Sequence, residues 1–144
     1  MNSERTWLKH HTYMQIAKEL TNLSTCNRLH VGCVLLDEQG RICGCGYNGA
    51  GPGMPHCNDE HCNSSSRCNR TVHAEQNALL FRVSASRPMV AYVTHEPCVN
   101  CTKELALAGV RTVYYDKPYT SIGDQERLDR LEWIGCYNMD WIQL

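Results

Sequence analysis

The sequence carries no surplus of either charge: 14 Lys and Arg against 15 Asp and Glu leave a formal net charge of -1 over 144 residues. No basic field therefore marks a nucleic-acid or membrane-surface partner. No apolar run approaches the ~20 residues that cross a bilayer. The opening stretch, MNSERTWLKHH, lacks the apolar centre of a secretory leader and the Arg-rich pattern of a transit peptide. Internal repeats, low-complexity segments and domain linkers are also missing. These absences predict a cytoplasmic chain with no membrane or nucleic-acid partner. With 42% hydrophobic and 20% charged residues, positions 1–144 read as one globular domain able to bury a core.

Cysteine, by contrast, is abundant. Ten cysteines and seven histidines in a chain of this size would suggest disulfides in a secreted domain. In a reducing compartment they point to metal ligation or catalysis.

The apolar spacing of Thr6–Leu20, with Trp7, Met14 and Ala17 on one side, predicts a first helix. Two short strands joined by DEQG, at Val31–Leu36 and Ile42–Tyr47, predict a hairpin. From about 49 to 70 the chain is rich in Gly, Pro, Asn, Ser and Cys. A loop of that length in a compact domain needs something to order it. Beyond it the pattern alternates: helix about Thr71–Val83, strand Met89–Thr94, helix about Pro97–Ala108, strand Val110–Tyr115, helix Ile122–Trp133 and a last apolar stretch Cys136–Ile142. Helices and strands in that order predict an α/β fold, a mixed sheet flanked by helices. Cys33, Cys43, Cys45 and Cys136 read as core filler in strands, and Trp7, Met14 and Trp133 as packing residues.

Two short stretches carry the chemistry, His73-Ala-Glu75 and Pro97-Cys98-Val-Asn-Cys101. Pro97 suits the first position of a helix, where no N–H is needed. Cys98 and Cys101 then share a face near a helix N-terminus, which favours thiolates. Two thiolates and the neutral imidazole of His73 balance Zn²⁺ and leave a fourth tetrahedral position open, as catalytic zinc sites do. Two residues of regular helix turn through about 200°, so His73 and Glu75 reach one site only if His73 stands at the non-helical cap. Glu75 can then take a proton from water that the metal acidifies towards pH ~7. A C-x-x-C pair alone is often structural or redox-active, and a lone His is usually packed. H-x-E upstream of P-C-x-x-C is the zinc-deaminase signature.

At these residues the sequence resembles the cytidine-deaminase superfamily, and within it the deoxycytidylate (dCMP) deaminases. CNRLHVGCVLLDEQGRICGCGYNGAGPG, CNRTVHAEQNALL and AYVTHEPCVNCTKELALAGVRTVYY carry the likeness, which runs from about Thr6 to Tyr119. The resemblance implies a five-stranded mixed sheet between helices, and a homo-oligomer, commonly a hexamer. It implies hydrolysis of dCMP to dUMP and ammonia, feeding thymidylate synthesis, with zinc on His73, Cys98 and Cys101 and proton transfer by Glu75. Asn48 would hold the sugar and Tyr119 would contact substrate. Arg28 is the candidate for the 5′-phosphate, since guanidinium matches phosphate geometry. Activation by dCTP and inhibition by dTTP are further expectations of the family, with Mg²⁺ accompanying the effector.

The insertion at about 49–70 holds CNDEHCNSSSRC. Some family members carry a second, structural zinc there. Cys26, Cys57, Cys62 and Cys68 would form a Cys₄ set, with His56 or His61 able to replace a member; ligation would supply the folding energy the loop composition lacks. Three rivals stand beside this reading. One is a deaminase accepting dCTP as well as dCMP, and another is a tRNA-adenosine deaminase, which the lack of a Lys/Arg cluster disfavours. The third is a non-catalytic zinc module, which the three-ligand arrangement disfavours.

Overall fold

The computed structural model describes residues 2–57 and 70–144. Within them a five-stranded sheet has the order β2-β1-β3-β4-β5. Its strands are β1 (Gly32–Asp37), β2 (Ile42–Tyr47), β3 (Pro88–His95), β4 (Thr112–Lys117) and β5 (Asp140–Gln143). β1 runs antiparallel to both β2 and β3, while β4 and β5 run parallel to β3. The sheet is therefore mixed, as the alternation of elements predicts. The β1–β2 turn is closed by Asp37, whose Oδ1 accepts the N–H groups of Gln39 at 2.9 Å and Arg41 at 3.0 Å.

Four α-helices cover the sheet: α1 (Ser3–Leu20), α2 (Ala74–Leu80), α3 (Val99–Ala108) and α4 (Asp124–Cys136). Strand side chains alternate between faces. On one face Val34, Leu36 and Tyr92 bury Met14 and Ala17 of α1. On the other, Cys33, Leu35, Ala91, Val93 and Val113 pack against Ala74, Ala78 and Leu79 of α2 and Leu105 and Ala106 of α3. Trp133, Ile134 and Tyr137 close that second cluster. β1, covered on both sides, is buried along nearly its whole length. None of the described helices is long and apolar enough to cross a membrane.

One close approach places the site. A Cβ on Gly46 would stand 2.5 Å from the Ala74 carbonyl oxygen and 2.6 Å from the Ala78 nitrogen. Gly44 has the same relation to the Ala78 carbonyl, at 2.7 Å. The bare backbone of β2 thus lets α2 settle directly on the sheet, which fixes the start of α2 and the residues around it.

Several boundaries differ from the sequence reading. α3 begins at Val99 with Cys98 as its N-cap, so Pro97 precedes the cap instead of opening the helix. α2 ends at Leu80, and Arg82 turns back to hydrogen-bond the Leu79 carbonyl. Cys136 ends α4 instead of lying in a strand, and it and Cys45 are exposed. Cys45 lies on β2, the edge strand of the sheet, whose register with β1 shifts between Leu35 and Leu36, so Cys43 is buried while Cys45 is not. Trp7 is 60% exposed and stacks on His11 along the surface of α1, not in the core.

Candidate metal centre and substrate pocket

His73 is the N-cap of α2, with extended backbone angles of φ -72° and ψ 154°. This is the conformation that the two-residue spacing to Glu75 demands, because it lets both side chains turn to one side. Its N–H donates to Gln76 Oε1 at 2.9 Å, and Gln76 Nε2 donates to Glu104 on α3 at 3.1 Å. One amide side chain thereby ties the start of α2 to the helix that carries the thiols. Cys98 and Cys101 sit at the cap and in the first turn of α3. The Cys98 carbonyl accepts the Thr102 N–H at 2.9 Å and the Thr102 hydroxyl at 2.8 Å. Glu126 of α4 accepts the Val99 N–H at 3.1 Å, satisfying one of the orphan donors of α3.

His73 Nδ1 stands 3.2 Å from Cys101 Sγ and 3.6 Å from Cys98 Sγ, and the three donor atoms lie within 4.8 Å of one another. The three form the only such group of His, Cys, Asp and Glu among the described residues. Their donor set, one imidazole nitrogen and two thiols, suits Zn²⁺ and falls one ligand short of a closed structural site. Hydrogen bonding from Cys101 and then His73 pulls the Cys98 thiol down to about 4, against the cost of burial. Cys101 moves the other way, because it donates to Cys98 and is buried. The hydrogen bond to Cys98 raises His73 to about 9 despite burial. Glu75, 4% exposed, is raised to about 7 by burial.

A cavity of about 440 Å³ opens over this cluster, and Asn48, Arg28, Tyr119, His73, Glu75 and Cys98 all line it. That volume is in the range of small-molecule sites. Asn48 is buried; its Oδ1 accepts the Val31 N–H at 2.8 Å and the Ser24 hydroxyl at 2.7 Å, and its Nδ2 donates to the Leu29 carbonyl at 2.7 Å. It therefore organises the wall formed by residues 24–31. Arg28 is exposed on that wall, and the half-buried Tyr119 stands in the segment after β4.

Cys26 and Cys57 are both buried, and the Cys57 N–H donates to the Thr25 carbonyl at 3.3 Å. Their suggested partners Cys62, Cys68 and His61 lie outside the described residues. His56, just before Cys57, is exposed. Sequence reasoning passed over four residues at this site. His95 and Glu96 line the cavity, and behind it Glu96 meets the buried Arg130 and the half-buried Trp141. Glu96 had a signal in its place beside the Pro97–Cys101 motif. Arg130, in the charged run of α4, had none.

The sheet order and its helices are those of the cytidine-deaminase-like sandwich. The dCMP deaminase of cyanophage S-TIM5, solved in complex with dCMP and dUMP, matches 100% of this chain and 99% of its own, with a TM-score of 0.75 and 26% identity. Residues 8–117 match the model of the cytidine and deoxycytidylate deaminase zinc-binding region, and the chain belongs to that family. It is 45% identical over 101 residues to ComE operon protein 2 of Bacillus subtilis (strain 168), covering 67% of this chain and 52% of that protein. It is 32% identical over 123 residues to the deoxycytidylate deaminase of Mycobacterium phage D29, covering 73% and 91% of the two chains. The chain thus spans about half the length of the Bacillus protein.

Proposed function

We propose that this chain is a single-domain, zinc-dependent deaminase that hydrolyses dCMP to dUMP and ammonia. The observation that carries the reading is the convergence of His73, Cys98 and Cys101 beside the buried carboxyl of Glu75, on the floor of one nucleotide-sized cavity. The names of the phage relatives support the substrate. His73, Cys98 and Cys101 would hold the metal, which supplies a Lewis acid that makes water a nucleophile near neutral pH.

Glu75 moves the protons. Its carboxylate accepts one from the attacking water and delivers it to N3 of cytosine. It then carries the second proton to the departing ammonia as C4 becomes a carbonyl. Burial suits it to this task, because a carboxyl poised near 7 both accepts and donates at neutral pH. Asn48 and Tyr119 orient sugar and base, and Arg28 on the outer wall receives the 5′-phosphate. Regulation by dCTP and dTTP, a hexameric assembly and a second zinc on Cys26, Cys57, Cys62 and Cys68 belong to the same reading by resemblance.

The test is ammonia release from dCMP, dCTP, deoxycytidine and a tRNA substrate, each with and without added dCTP or dTTP. Turnover mainly of dCMP, raised by dCTP and lowered by dTTP, is the expected result. Equal turnover of dCTP moves the substrate range to both nucleotides. No turnover in zinc-loaded protein overturns the enzymatic reading.

A further inference from the structure

We infer that Glu96 is a positioning residue: its buried carboxylate, braced by Arg130 and Trp141, sets Tyr119 at a fixed distance from the metal-ligand turn. The inference rests on the reading of Tyr119 as a substrate contact. Glu96 follows β3 directly and stands two residues before Cys98. Its backbone N–H donates to the Lys117 carbonyl at 2.8 Å, holding the ends of β3 and β4 together.

The side chain reaches further. Oε1 accepts the Tyr119 N–H at 3.0 Å. Oε2 accepts the Trp141 indole N–H at 2.7 Å and the Arg130 Nη2 at 3.0 Å. Arg130 in turn donates from Nη1 to the Pro97 carbonyl at 3.0 Å, and its guanidinium lies 5.8 Å from the Trp141 ring centroid. Glu96 and Arg130 are each 8% exposed.

The division of labour between the two oxygens is what makes this a positioning device. Oε2 faces the scaffold, meeting one donor from α4 and one from β5. Oε1 faces the pocket loop and holds the backbone of a cavity-lining residue. Arg130 grips the same scaffold to Pro97, the residue before the first thiol. Tyr119 and Cys98 are thus referenced to one ion pair instead of to two mobile loops. Misplacement by about 1 Å at a reacting centre costs on the order of 10²-fold in rate, so a shared reference point has consequences for turnover.

An amide cannot take over this role. In one orientation Gln at position 96 keeps the Tyr119 bond but turns its NH₂ onto the Arg130 and Trp141 donors. In the other it meets the Tyr119 N–H with a second donor. Either way a buried group is left without its partner.

The experiment compares zinc-loaded wild type, Glu96→Gln, Tyr119→Ala and the double variant. It reads zinc content, kcat and KM on dCMP, and amide hydrogen exchange at 118–121. Glu96→Gln is expected to keep its zinc, to exchange about ten-fold faster at 118–121, and to lose about 10- to 100-fold in kcat/KM. In the Tyr119→Ala background the same change is expected to cost less than about two-fold, because the side chain it positions is gone. A purely structural role would lower kcat/KM equally in both backgrounds. That result, or unchanged exchange at 118–121, overturns the inference.

Should Glu96→Gln not fold, Trp141→Phe carries the same cycle. It removes one Oε2 donor and leaves the ion pair and the Tyr119 bond, with a loss of about three- to ten-fold expected only when Tyr119 is present. Wild-type protein without turnover on any cytosine nucleotide would overturn the proposed activity. The exchange measurement still decides the clamp in that case.

Discussion

Two sets of cysteines each bring one member, Cys98 and Cys26, to the same cavity, and they are held in different ways. His73, Cys98 and Cys101 stand at the caps and first turns of two helices, and those helices pack into the core through Ala74, Ala78, Leu79, Leu105 and Ala106. Cys26 and Cys57 lie in irregular backbone: the Cys26 N–H meets the Ser24 hydroxyl at 3.3 Å, the Cys57 N–H the Thr25 carbonyl at 3.3 Å, and Cys57 Sγ lies 3.6 Å from Thr71 Oγ1. The first set takes its geometry from regular secondary structure. The second has only a local one, so ligation would have to supply its order. Chemistry belongs with the preorganised set, stability with the other.

The largest effect that sharpens this contrast is expected for Glu75→Gln. Turnover should fall by about 10²–10⁴-fold, while elemental analysis finds unchanged zinc and circular dichroism an unchanged fold. Residual activity near wild type would remove Glu75 from the mechanism. Next comes Cys98→Ser or Cys101→Ser. Each should abolish turnover by removing metal, with the melting temperature affected less than the activity, because the helices that carry the ligands are held by the apolar core of that face.

Cys57→Ser should reverse that order. It is expected to retain at least a tenth of wild-type kcat, while losing zinc and several degrees of melting temperature, as loss of a structural metal does. Unchanged zinc and melting temperature would show that no metal sits there. An acid effect should follow within the first set. Ligation requires His73 to lose a proton that its hydrogen bond to Cys98 holds to about 9. Metal affinity therefore falls as pH falls, and competition with a chelator at about pH 6 and pH 8 measures it. The rate has an acid limb for a related reason. Burial places Glu75 near 7, and a neighbouring cation draws a carboxyl lower, so kcat/KM should decline only below about pH 7. The smallest effect belongs to the exposed Cys45 and Cys136: replacement of either by Ser should alter stability by less than about 0.5 kcal/mol.

The same contrast separates what the sequence revealed from what it withheld. The clustering of His73, Cys98 and Cys101 was legible because its spacing follows from helix geometry: a cap residue, a carboxyl two places on, and a Cys pair one turn apart. The sheet was legible because β1 and β3 alternate cleanly between two apolar faces. Legibility ended where position depends on a distant partner. Pro97 lies one residue outside the helix it was expected to open, since Cys98 takes the cap. Cys45 and Trp7 were expected inside, but one is on an edge strand and the other on the outer surface of α1. Arg130 looked like one more charge in DQERLDRLEW, and its buried partner Glu96 lies 34 residues away in the chain.

That distance has a consequence for the order in which the protein matures. A ribosome releases His73, Glu75, Cys98 and Cys101 before Arg130 and Trp141, but a domain folds as a unit. Glu96 lacks its Arg130 and Trp141 partners until α4 and β5 have emerged. The side of the pocket that Tyr119 provides is therefore held only once the last strand has docked.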